Sequence, residues 1–103
     1  VPQAANRLAW MIATSGDPAL GTPEEALALA ERACGDPQSA FPDFLDTLAA
    51  AQAHAGRFEE AVKTALQAAA ALAQERKDSV FEKAIFKRVE SYRKKLPWKQ
   101  ERK

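Results

Sequence analysis

The chain predicts an all-α fold, and three observations predict it. Between Asp43 and Ala73 small apolar residues recur at helical spacing on both sides of a lone glycine, Gly56. A similar pattern stands upstream, between Ala4 and Cys34. A third stretch, from Ser79 to Lys95, has one apolar face and one basic face. At 103 residues, with 47% apolar and 28% charged side chains, the chain is one domain or part of one, of ordinary globular composition.

Residues 3–14, QAANRLAWMIAT, predict a first helix with Leu8, Ala9, Met11 and Ile12 on its apolar stripe. The turn formers SGDPALG end it. Thr22-Pro23-Glu24-Glu25 restarts a helix: Thr22 can cap, Pro23 suits the first helical position, and Glu25 closes a capping box. That second helix runs to about Cys34, where Gly35-Asp36-Pro37 stops it.

The stretch from Asp43 to Ala73 predicts a helix, a tight turn at Gly56 and a second, antiparallel helix. Gly56 is the residue for which a positive backbone angle is cheapest. Helices packed that closely need small side chains at the crossing, and Ala49, Ala61, Ala65 and Ala68 supply them. Beyond Gln74-Glu75-Arg76-Lys77 a fifth helix is expected over 79–95, with Asp78 and Ser79 as caps and Ser79 with Glu82 as a second capping box. Phe81, Ala84, Ile85, Val89 and Tyr92 form its apolar face. Leu96-Pro97-Trp98 ends it and opens a basic tail over 96–103, whose last five residues, KQERK, read as a frayed terminus.

The two helix pairs repeat one another. Leu8-Ala9 aligns with Leu48-Ala49 forty residues on, whereas Glu24-Glu25-Ala26 aligns with Glu59-Glu60-Ala61, and Ala33 with Ala68, thirty-five residues on. The five-residue difference is an insertion within Thr14 to Thr22. Leu48-Ala49, Gly56, Phe58, Ala61 and Ala68 together resemble the tetratricopeptide repeat, a helix pair with a period of about 34 residues. Leu45, Gln52 and Ala73 depart from it, standing where the family has tryptophan, tyrosine and proline. The first pair resembles a bacterial-type variant with a lengthened first-repeat turn, and the resemblance covers residues 4–73.

The resemblance implies two stacked helix pairs, a short α-solenoid with repeat 1 at about 3–35 and repeat 2 at about 42–73. They would form a short right-handed superhelix closed by the amphipathic capping helix. It also implies a non-catalytic protein–protein interaction module, at the C-terminal end of a larger repeat protein. In such repeats the first helix of each pair lines a concave groove that takes an extended peptide or a partner helix. The groove candidates are then Asn6, Arg7, Trp10 and Thr14, with Asp43, Asp46, Thr47, Ala50 and His54 from the third helix. Trp10 is either an aromatic anchor in that groove or a packing residue against the long turn or the next helix. The family's best-known subclass grips a terminal carboxylate with lysine and asparagine. Here Asn6, Trp10 and Thr47 occupy those positions, so a chaperone-tail receptor is not expected.

Catalytic chemistry finds little footing. His54 is the only histidine and Cys34 the only cysteine, so neither a metal-ligand pattern nor an internal disulfide is expected. Cys34 reads as a small packing residue. Asp43 and Asp46, or Glu59 and Glu60, suit helix starts through the backbone dipole without any acid–base role. There is no glycine-rich phosphate loop. The expectation is no enzyme, no cofactor and no metal.

Charge divides the chain. Residues 1–73 carry four basic and nine acidic side chains, and residues 74–103 carry eleven basic and five acidic. Lys83, Lys87, Arg88, Arg93, Lys94, Lys95 and Lys99, with Tyr92 and Trp98 among them, could meet phosphates or an anionic surface, or could form a solvated face. Docking of this face on the acidic half of a second copy would make a homo-oligomer. No stretch is apolar enough to span a bilayer, and the expected setting is a soluble domain, with the cytoplasm favoured.

Overall fold

The computed structural model describes residues 2–36, 40–76 and 79–99, with the side chains of 75, 76 and 79 left aside. Five α-helices make up the fold, and the described residues contain no strand. They are α1 (Pro2–Ser15), α2 (Pro23–Cys34), α3 (Pro42–His54), α4 (Phe58–Ala71) and α5 (Ser79–Arg93). A 3-10 turn at Pro18–Leu20 occupies the insertion between α1 and α2, and a π-helical turn at Leu72–Arg76 extends α4.

Local chemistry accounts for the boundaries. Thr22 and Glu25 form the expected capping box: the Glu25 amide donates to Thr22 Oγ1 at 3.1 Å, and the Thr22 amide to Glu25 Oε1 at 2.9 Å. Asp17 caps the 3-10 turn by accepting from the Ala19 amide at 2.9 Å. Between α3 and α4 the Arg57 amide donates to the Gln52 carbonyl at 2.8 Å and the Gly56 amide to that of Ala53 at 3.0 Å. Gly56 has φ +86°, so the turn is the glycine-ended helix stop that the sequence predicts. The caps expected from Asp78 and Ser79 lie outside the described residues and side chains, as does Pro37 at the end of α2.

Helix α3 is the centre of the molecule. It packs on α1, α2 and α4, and α5 packs on α4. Every residue from Leu45 to Ala53 is buried. Close approach comes from alanine: Ala9, Ala26, Ala49, Ala61, Ala65 and Ala68 are wholly inaccessible. Around them Ile12, Leu45, Leu48, Leu72, Ile85, Val89 and Tyr92 complete one core. Fully burying a side chain the size of leucine or isoleucine contributes about 1.5–3 kcal/mol. Cys34 is buried in that core, and burial, then the Asp36 charge, pushes its thiol pKa up.

Two features of α1 and α5 differ from the sequence reading. Leu8 and Met11, expected on the buried stripe of α1, are 42% and 44% exposed, whereas Leu48, the repeat equivalent of Leu8, is 5% exposed. The difference is positional: a helix pair precedes α3 and packs on it, and no described residues precede α1. The tail is the second correction. Lys99, expected at the start of a frayed terminus, instead lies against the helices behind Trp98, while 100–103 lie outside the described residues.

Candidate functional site

The reversal of the tail begins at the end of α5. The Leu96 amide donates to the Ser91 carbonyl at 3.0 Å and the Lys95 amide to the Tyr92 carbonyl at 2.9 Å, the same pattern that ends α3. Lys95 stands where Gly56 stands in that earlier turn and has φ +61°, among the described residues the one positive value outside glycine. The Ser91 hydroxyl donates to the Leu96 carbonyl at 2.9 Å and fixes the exit direction.

From there the chain crosses to α1 and α3. Trp98 is half-buried against the core. The Arg88 guanidinium lies over both the Trp98 ring, 5.5 Å from its centroid, and the Trp10 ring of α1, at 5.0 Å. The same guanidinium donates to Asp46 Oδ2 of α3 at 2.7 Å, with both side chains largely buried. Lys99 then reaches the far end: its ammonium donates to the Ala13 carbonyl of α1 and to His54 Nδ1, each at 3.2 Å. Ala13 lies in the last turn of α1, whose carbonyls have no partner within the helix, and His54 is the last residue of α3. A lysine ammonium there meets the negative ends of two helix dipoles.

The electrostatics follow from burial. Asp46 is pushed up to about 6, by burial first, against the lowering effect of Arg88 and with a further upward push from Asp43. His54 is lowered by burial and by the Lys99 charge, with Glu24 opposing, and burial also lowers Lys99. Burial, then the Asp46 charge, raises the Tyr92 phenol. Asp46 Oδ1, Arg88 Nε and Tyr92 Oη are buried without a hydrogen-bond partner among the described residues, as is Asn6 Oδ1 on α1.

The groove candidates separate into three groups. Asn6, Arg7 and Asp43 come together around a 340 Å³ cavity that Gln3, Phe41 and Phe44 complete. Trp10 and Asp46 are joined through Arg88, and His54 holds Lys99. Thr14 and Thr47 are not available to a ligand: both are buried, with hydroxyls donating to the Trp10 carbonyl at 2.7 Å and the Asp43 carbonyl at 3.2 Å. Ala50, expected to line an open groove, is 1% exposed.

The basic face also divides. Lys83, Lys87, Arg93, Lys94 and Lys95 are exposed, but Arg88 turns inward because the buried Asp46 carboxylate and two indoles take it. Sequence reasoning saw Trp98 and Lys99 only as part of a basic tail. The available signal was an apolar Leu96-Pro97-Trp98 run directly after a helix stop, a composition that suits docking better than solvation.

Among the described residues no three histidine, cysteine or acidic side chains form a metal-binding group, and no helix is long and apolar enough to cross a membrane. Compared with family models, curated proteins and solved structures, the chain has no match in any of the three.

Proposed function

We propose that the chain is a tetratricopeptide-like, non-catalytic module that binds a protein or peptide segment on the face formed by α1 and α3. The observation that carries this reading is the course of residues 96–99, a non-helical segment seated across that face through Trp10, Arg88, Ala13 and His54. A surface that seats one non-helical segment has polar anchors that can seat another. The exposed pair Leu8 and Met11 supports a place in a longer stack. With Gln3, Ala4 and Arg7 they line a 470 Å³ depression, on the surface that the repeat buries at Leu48.

The test is affinity capture from lysate with residues 1–103 and with Trp10→Ala, each with and without nuclease. A protein retained after nuclease and lost with Trp10→Ala supports the reading. Capture that ignores Trp10 and disappears with nuclease or moderate salt defeats it and moves function to the exposed cations of α5 and of the turn that follows it. Self-association is the other alternative, and a mass that rises with concentration would favour it.

A further inference from the structure

The segment Leu96–Lys99 is seated by two contacts of different chemistry, and their order along the chain is informative. The first is aromatic: Trp98 and Trp10 share the Arg88 guanidinium, which Asp46 holds in place. The second is cationic, at the ends of α1 and α3, where the Ala13 carbonyl and His54 Nδ1 accept from Lys99. The two seats are filled by consecutive residues. Arg88 ties the first seat to the helical part of α5, and the turn that delivers the segment puts Lys95 at φ +61°. A non-glycine residue in that region is strained, and the helix stop bears that cost. Lys99 remains exposed while bound, and Trp98 is only half-buried.

We infer that the α1–α3 face is a receptor for an extended segment carrying an aromatic residue followed directly by lysine or arginine, and that Leu96–Lys99 is its resident ligand in cis. The inference rests on the peptide-binding reading above and names the partner chemistry. A short tether presents the tail at an effective concentration of roughly millimolar. A partner segment must therefore displace it, and the free affinity of the face is masked in the intact chain. Arg88 remains on the receptor side of the exchange, because Asp46 and Trp10 retain it when Trp98 leaves.

The test uses the full chain and a fluorescent peptide of sequence Lys-Leu-Pro-Trp-Lys-Gln, with a control peptide in which Trp and Lys are Ala. Fluorescence anisotropy should show the Trp98→Ala/Lys99→Ala chain binding the first peptide at least tenfold more tightly than the unaltered chain. Adding Trp10→Ala should remove that gain, and the control peptide should not bind. A helical spectrum and a cooperative melt establish that each variant is folded. In the unaltered chain, excess unlabelled peptide should move the Trp98 indole NMR signal toward its position in a free peptide. A static Trp98 signal, or an altered chain that binds neither peptide, overturns the inference. Equal binding of both peptides overturns it too, yet leaves the module a peptide binder. Lysate capture indifferent to Trp10 would instead remove that underlying reading.

Discussion

Arg88 of α5 donates to the Asp46 carboxylate of α3 across 2.7 Å, joining residues 42 positions apart. It is the bond through which the last helix is registered on the middle one. With the two side chains 13% and 7% exposed, removing either partner strands a buried charge. Arg88→Ala should therefore lose about 3–5 kcal/mol of unfolding free energy. Arg88→Lys should recover only part of it, because an ammonium keeps the charge but not the flat contact with Trp10 and Trp98. Urea unfolding of both variants checks this, and full stability in Arg88→Ala would show that the pair does not hold α5.

The site also sets two pH dependences of opposite sign. Asp46 rises from its ordinary 3.8 to about 6, mainly through burial, with Arg88, Tyr92 and Asp43 as its charged and titratable neighbours. The folded chain then holds that proton more tightly than the unfolded chain. Its contribution is complete below about pH 4 and is lost as pH rises through 6. His54, flanked by Lys99 and Glu24, is lowered from its ordinary 6.5. Its contribution is present above 6.5 and is lost as pH falls through the folded value. Relative to the parent, Asp46→Asn should gain stability as pH rises from 4 to 6, and His54→Gln should gain it as pH falls below 6.5. Urea midpoints at half-unit pH steps measure both differences, and parallel curves would mean that neither group titrates with folding.

The helices were legible where a boundary had a chemical marker. Thr22 and Glu25 specify the start of α2 through their own hydrogen bonds and Pro23 through its fixed φ, and Gly56 specifies a positive φ wherever the turn is built. The alanines were legible as crossing points for a similar reason, since only small side chains permit so close an approach. The candidate site was legible only in part. Trp10, Asp46 and His54 were assigned to one face by the repeat resemblance, but a resemblance does not reveal what lies over that face. Arg88 was read as part of the basic face because it stands among lysines, and only the fold brings a buried carboxylate and two indoles to it. Leu8 shows the limit of the repeat argument: it occupies the position of Leu48 in the pattern, but its burial depends on a neighbour rather than on the pattern.

The two matched helix stops make a paired prediction. At Gly56 a methyl group would meet nothing within 4 Å, so the cost of Gly56→Ala is conformational alone. A positive φ in a residue with a Cβ costs about 1–2 kcal/mol, and Gly56→Ala should be destabilised by that amount. Lys95, at φ +61° in the equivalent turn, already bears this strain. Lys95→Gly should relieve it and stabilise the chain by up to about 1 kcal/mol, reduced by the added freedom of glycine in the unfolded state. Thermal unfolding of the two variants should move the midpoint in opposite directions. A fall in both would show that the Lys95 side chain contributes more by its contacts than its backbone angle costs.

Tyr92 gives the sharpest test of the polar floor beneath the tail. Its ring is among the largest fully buried side chains, and it belongs to the core that joins α5 to the rest of the molecule. Its hydroxyl, however, is buried without a hydrogen-bond partner among the described residues, and burial, then the Asp46 charge, raises its pKa. A buried polar group left unpaired costs about 1–3 kcal/mol of desolvation. Tyr92→Phe keeps the ring and removes that group, so it should leave stability unchanged or raise it by about 1 kcal/mol. Tyr92→Ala, which empties the site, should lose about 3–5 kcal/mol, as is usual for aromatic truncation in a core. A large loss in Tyr92→Phe, approaching that of the alanine variant, would mean that the hydroxyl makes a bond that holds Asp46 in place. The aromatic seat would then depend on Tyr92 as much as on Arg88.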